Sequence, residues 1–165
     1  AAMTGGVQSV KGCGTTVKHF ACNNNEDHRM GCDSILSERA LREIYLKGFE
    51  IAIKEAQPMS IMTSYNKING IHAANNYDLC TNVARNEFGF NGMIMTDWTT
   101  THNGPDCTAA GCMRAGNDVV MPGCKNDQVN LTEELASGKL KKADLEACVS
   151  RLIRCVLQSN EYEEA

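Results

Sequence analysis

Gly92-Met93-Ile94-Met95-Thr96-Asp97-Trp98 is the stretch on which the fold turns: an apolar run entered from a Gly89 to Gly92 turn and closed by a carboxylate and an indole. A short apolar run bounded by turn residues reads as a buried strand. Working outward, the same punctuation recurs. Gly14 to Phe20 is a β-branched run containing Lys18-His19, and Ser60 to Tyr65 follows Pro58 and leads into Asn66. Asp118 to Met121 is a fourth run, stopped by Pro122 and Gly123, because proline cannot donate to a strand ladder.

Helix-type spacing fills the gaps. Ser37 to Ala56 places Leu41, Ile44, Tyr45, Phe49, Ala52, Ile53 and Ala56 three and four apart, with Ser37 as the N-cap. A polar loop follows Tyr65, and further helices are expected from Tyr77 to Asn86, Thr108 to Ala115, Leu131 to Ser137 and Ala143 to Leu157. In the last of these, Leu145, Cys148, Val149, Leu152 and Val156 form an apolar stripe expected to face the core. Strands alternating with helices define an α/β protein of four βα units on a parallel sheet.

Composition narrows the partners. A chain of 165 residues with 42% hydrophobic content can form one domain with a packed core. The net charge of -4 with scattered basic residues offers no stripe for nucleic acid and no run for a membrane surface. No apolar stretch reaches the roughly 18 residues of a span, and no secretory leader pattern is read, so the cytoplasm is the default compartment. The nine cysteines are odd in number and include no C-x-x-C pair, which favours reduced thiols. Cys148 and Cys155, seven apart on one helix, are both expected in the core. Cys32 with His28, and Cys107 with Cys112, have no second pair at ligand spacing, so neither a metal nor a cofactor is expected.

The chemistry-bearing residues fall at strand ends. Lys18-His19, Tyr65-Asn66 and Asp97-Trp98 each close a strand, and the C-terminal ends of parallel strands are where α/β proteins build their sites. Asp97 follows Met93-Ile94-Met95, where a carboxylate is costly to desolvate unless it is hydrogen-bonded or put to use; capping of the next helix is the structural alternative. Lys18 and His19 suit vicinal sugar hydroxyls, and Tyr65 and Trp98 offer flat faces for a pyranose ring. Each of these also has a plain reading, as a surface pair or as core aromatics.

Taken together, the words Lys18-His19-Phe20-Ala21 with Asn23, Ser37-Glu38-Arg39-Ala40-Leu41-Arg42-Glu43-Ile44-Tyr45-Leu46, Ser64-Tyr65-Asn66-Lys67-Ile68-Asn69-Gly70, Asn86-Glu87-Phe88-Gly89-Phe90-Asn91-Gly92 and Met95-Thr96-Asp97-Trp98 resemble glycoside hydrolase family 3 of the β-glucosidase-like branch, in order and in spacing. The resemblance continues through Ala115-Gly116-Asn117-Asp118 and Met121-Pro122-Gly123 to the last helix. It implies the second half of an N-terminal (β/α)8-type barrel over residues 1–160, with 161–165 a frayed tail. It also implies Asp97 as the nucleophile of a retaining hydrolase that forms a covalent glycosyl intermediate. Lys18 and His19 would hold sugar hydroxyls, Tyr65 would lie beside the nucleophile, Trp98 would wall the adjoining subsite, and Arg29 would support them.

The same resemblance implies that the acid/base comes from the domain after the barrel, and that an acidic sugar-binding residue and an arginine come from earlier strands. Partners would then be a β-glucoside or related oligosaccharide, the remaining barrel half and C-terminal domain, and a homodimer in which half-barrels cover one another. Little or no turnover is expected of this chain alone. The loop Ala21 to Arg29 lacks the Pro-Gly-His-Gly type sequence of the N-acetylglucosaminidase branch, and Asp27-His28 is a poor dyad because adjacent side chains diverge. Phe88 stands where the family more often has Trp.

Overall fold

The computed structural model describes residues 1–102 and 105–159; the expected tail at 161–165 lies outside them. In chain order the elements are α1 (Ala2–Gln8), β1 (Thr16–Phe20), β2 (Asp33–Ser34), α2 (Glu38–Ala40), a π-helical turn (Leu41–Tyr45), α3 (Lys47–Ala56) and β3 (Ser60–Thr63). There follow β4 (Lys67–Ile68), β5 (Ile71–His72), a 3-10 turn (Ala73–Asn75), a π-helix (Asp78–Glu87), β6 (Met93–Met95), a 3-10 turn (Thr100–His102), α4 (Ala109–Ala115), α5 (Lys125–Ala136) and α6 (Lys142–Gln158).

The central sheet has the order β1-β3-β6, and both pairings are parallel, with Thr16 opposite Ser60 and Ser60 opposite Met93. All three C-terminal ends therefore point the same way. Their apolar side chains meet the helices: Phe20, Ile61 and Ile94 are fully buried with Leu46, Ile53, Leu79 and Val83, and the Phe20 and Phe49 rings contact edge-on with centroids 4.9 Å apart. A second cluster, Cys112, Met113, Leu140 and Cys148, lies among α4, the α5–α6 junction and α6. Ser37 caps α2 as expected, accepting from the Ala40 N–H.

Several elements differ from their sequence reading, each for a local reason. The Leu46 N–H reaches back five residues to the Leu41 carbonyl, which inserts a residue into the helical repeat. The expected stripe slips accordingly: Leu46 is buried and Ile44 is exposed. The polar loop after Tyr65 contains the hairpin β4–β5, with β2 pairing onto β4 in parallel.

The expected fourth strand shrinks to a single parallel bridge between Met95 and Val119. The Thr96 N–H still donates to the Val119 carbonyl, but the Met121 N–H turns to the Thr96 hydroxyl and the Met121 carbonyl accepts from Thr99, so the ladder stops there. The helix expected from Leu131 starts earlier, at Lys125. On α6 only Cys148 is buried; Val149, Leu152, Val156 and the neighbouring Ile153 and Leu157 are exposed, and Cys155 is half-buried. The α4 helix is too short to cover a 17-residue partner.

Candidate active site

The site grows from the ends of the three parallel strands. His19 is the penultimate residue of β1, Tyr65 lies two residues beyond β3, and Asp97 lies two beyond β6. Because these strands are parallel neighbours ending on the same side, the three side chains converge: His19 Nε2 is 3.3 Å from Asp97 Oδ2. The Tyr65 hydroxyl donates to the Trp98 carbonyl at 2.7 Å and sits close enough to Asp97 for its charge to act on the phenol. Burial first, and the Asp97 carboxylate second, raise the Tyr65 pKa above its ordinary value.

Asp97 is held rather than free. Its Oδ1 accepts the Trp98 N–H at 2.6 Å, and its own carbonyl accepts the Thr100 hydroxyl at 2.9 Å. It is 9% exposed, so one carboxylate edge is turned to His19 while the residue keeps access to solvent. Arg29 stacks on the Tyr65 ring with its guanidinium carbon 4.9 Å from the centroid, and pairs with Glu26 at 3.1 Å. Arg29 therefore reaches the site through the loop after β1. Trp98 is 58% exposed and forms an open aromatic surface beside Asp97.

Lys18 lies at the edge of this grouping. It is exposed, and among the described residues its side chain makes no hydrogen bond or ion pair. The register of β1 shifts between Val17 and Phe20. Lys18 and His19 share a shallow concavity with Cys22, Asn23 and Tyr45, but only His19 touches Asp97.

Two residues that sequence reading left in the background hold the strand ends together. The Ser64 hydroxyl and the Asn66 amide both donate to the Ala21 carbonyl, at 2.7 and 3.1 Å, while Ser64 N–H donates to Phe20 O. The Tyr65 carbonyl faces His72 Nδ1 at 2.9 Å. The signal was present in the alternation Ser64-Tyr65-Asn66, which places two small polar residues around the aromatic one. Below them, Asp118 accepts from Arg85, Arg151 and the Ile94 N–H, fixing β6 three residues before Asp97.

A carboxylate, an imidazole and a phenol gathered at the C-terminal ends of parallel strands define the class: an α/β protein with a candidate site where barrel-type enzymes carry theirs. Residues 1–155 match the glycosyl hydrolase family 3 N terminal domain, and the chain belongs to that family. It is 40% identical over 163 residues to a β-glucosidase of Ruminococcus albus, covering 94% of this chain and 17% of that protein. It is 43% identical over 151 residues to an exo-α-(1→6)-L-arabinopyranosidase of Bifidobacterium longum, covering 92% of this chain and 19% of that protein.

Among solved structures, β-glucosidase 3B of Thermotoga neapolitana in complex with glucose superposes with a TM-score of 0.89 at 40% identity, over 97% of this chain and 23% of that one. The β-glucosidase of Kluyveromyces marxianus in complex with glucose gives 0.85 at 37% identity, over 94% and 18%. The chain thus spans less than a quarter of the length of these relatives. Among the described residues no helix is long and apolar enough to cross a membrane.

Proposed function

We propose that this chain is part of a retaining glycoside hydrolase of β-glucosidase type, in which Asp97 attacks the anomeric carbon of a terminal pyranose. The supporting observation is the convergence of His19, Tyr65 and Asp97 from three adjacent strands. A nucleophilic carboxylate must be ionised and aimed. The Trp98 N–H and the His19 imidazole donate to its two oxygens, and the Tyr65 phenol, which resists ionisation, stays neutral beside it with its proton on the Trp98 carbonyl. Arg29 supports the Tyr65 ring, and Trp98 offers the leaving group an apolar face. Lys18 serves hydroxyls farther along the same rim.

Retention requires a second carboxyl about 5 Å from the first, to protonate the leaving oxygen. Among the described residues the side chains that contact Asp97 are an imidazole and a phenol, which supports reading the proton donor and the rest of the pocket as supplied from outside this chain. Its parallel sheet is read in the same way, as half of a (β/α)8-type barrel completed elsewhere. The sugar is left open between glucosides and related pyranosides, since the relatives include an arabinopyranosidase.

The test is substitution of this chain for the matching segment of the Ruminococcus albus β-glucosidase. Hydrolysis of an aryl β-glucoside should survive in the chimera and fall by about a thousandfold or more with Asp97→Asn, a loss of the size seen when a nucleophile is removed. A folded chimera whose turnover is indifferent to Asp97→Asn refutes the reading. The isolated chain should show no Asp97-dependent turnover. A second reading, a non-catalytic piece that pairs with another copy, draws on the exposed Val149, Ile153, Val156 and Leu157 of α6. Light scattering separates the two: a monomer at high concentration removes the second.

A further inference from the structure

The geometry points to a zinc-type metal site formed by His102, Cys124 and Asp127, apart from Asp97 and its neighbours. One ligand atom from each lies within 4.8 Å of the others, and His102 Nε2 is 3.7 Å from Asp127 Oδ2. Tetrahedral zinc, with bonds of roughly 2.0–2.3 Å, sets its ligand atoms about 3.3–3.8 Å apart, so small side-chain adjustments close the triad. A thiol, an imidazole and a carboxylate together are a donor set for zinc or cobalt, and the sulfur disfavours magnesium and calcium. Three protein ligands leave the fourth position to water.

The surroundings fit this use. Cys124 is the N-cap of α5, and Asp127 Oδ2 accepts the Cys124 N–H at 2.9 Å, which ties the two ligands together at the start of the helix. Such outer hydrogen bonds fix ligand orientation in metal sites, and a helix N-terminus favours the thiolate and carboxylate that would neutralise a dication. Capping alone explains less. It calls for Ser, Thr, Asp or Asn rather than a soft thiol, and it has no need of His102. Asp127 is buried, Cys124 half-buried and His102 exposed, which gives an ion a route in. Bound there, the metal would clamp the Thr100–His102 turn, which follows the Asp97-Trp98 segment, to the start of α5.

The experiment titrates the reduced, anaerobic chain with Co2+ and follows thiolate charge-transfer and tetrahedral ligand-field absorption. One Co2+ per chain with a single thiolate, displaced by Zn2+, is expected. Cys124→Ser should abolish the charge-transfer band, and His102→Ala should weaken binding by roughly tenfold or more. Cys13→Ser and Cys32→Ser should leave both unchanged. His102 is exposed, so its variant tests the site even if the cap substitution disturbs folding; thermal melting of each metal-free variant checks this. Binding that ignores His102→Ala, a band that persists in Cys124→Ser, or no stoichiometric binding overturns the proposal.

Discussion

Asp118→Ala is the perturbation with the largest expected cost outside the site. The Asp118 side chain is fully buried; its Oδ1 accepts Arg151 Nε at 2.7 Å, and its Oδ2 accepts Arg85 Nη2 at 2.8 Å and the Ile94 N–H at 2.9 Å. Removing one partner of a buried ion pair costs about 3–5 kcal/mol. Arg85 keeps the Gly92 and Gly116 carbonyls as acceptors, and Arg151 can turn to solvent, which pulls toward the lower end. The Ile94 N–H loses its acceptor inside the sheet, which adds about 1 kcal/mol or more and pulls the other way.

The expected loss is therefore about 4 kcal/mol, a large part of the roughly 5–15 kcal/mol available to a domain. Asp118→Asn keeps an acceptor for Ile94 and should lose less. Burial already lowers the Arg85 pKa against the pull of Asp118, so removing the carboxylate leaves a guanidinium that its site disfavours. Urea unfolding followed by circular dichroism, with an unchanged slope, measures the difference. A loss under about 1 kcal/mol for Asp118→Ala refutes the assignment of this network as the anchor of β6.

Three further outcomes are expected. Gly116 ends α4 at φ 84°, and a Cβ there would run into the Thr81 hydroxyl, so Gly116→Ala should cost about 2 kcal/mol and lower the melting temperature by about 4–8 °C. Gly138→Ala, also at positive φ but with open space around it, should cost only about half as much. In alkaline solution, burial lifts the thiols of Cys22 to about 11 and of Cys80 and Cys148 to about 12, from an ordinary 9.0. Raised thiol pKa values stabilise the fold fully below pH 9 and lose that contribution as pH climbs toward 12, so urea midpoints should fall above pH 9, less steeply in Cys148→Ala. Finally, Asp97→Asn should bring the Tyr65 pKa down toward its ordinary value in an ultraviolet titration; no change would place the carboxylate too far away to act.

Much of the site was legible because its residues obey a local rule. Asp97 and Tyr65 follow apolar strands and precede loops, so their place at strand ends could be read from spacing, and the family resemblance gave them roles. Arg29 entered through resemblance alone, and its stacking on Tyr65 depends on how the loop after β1 folds back. Lys18 was grouped with His19 because they are adjacent, and the two line one concavity, although only His19 touches Asp97.

Period, punctuation and motif order in the sequence by themselves determined the α/β class, three of the four strands, the helix after Ser37 and the family. Those features depend on contacts between residues close along the chain, which a linear string records. Only the tertiary structure decided that Leu46 and not Ile44 is buried, that the fourth strand ends after one bridge, that most of the α6 stripe stays exposed, and that Asp118 gathers two arginines under β6. It also brought His102 to Cys124 and Asp127. Each of these joins residues far apart in sequence, where the outcome depends on which backbone donors, charges and surfaces compete in space.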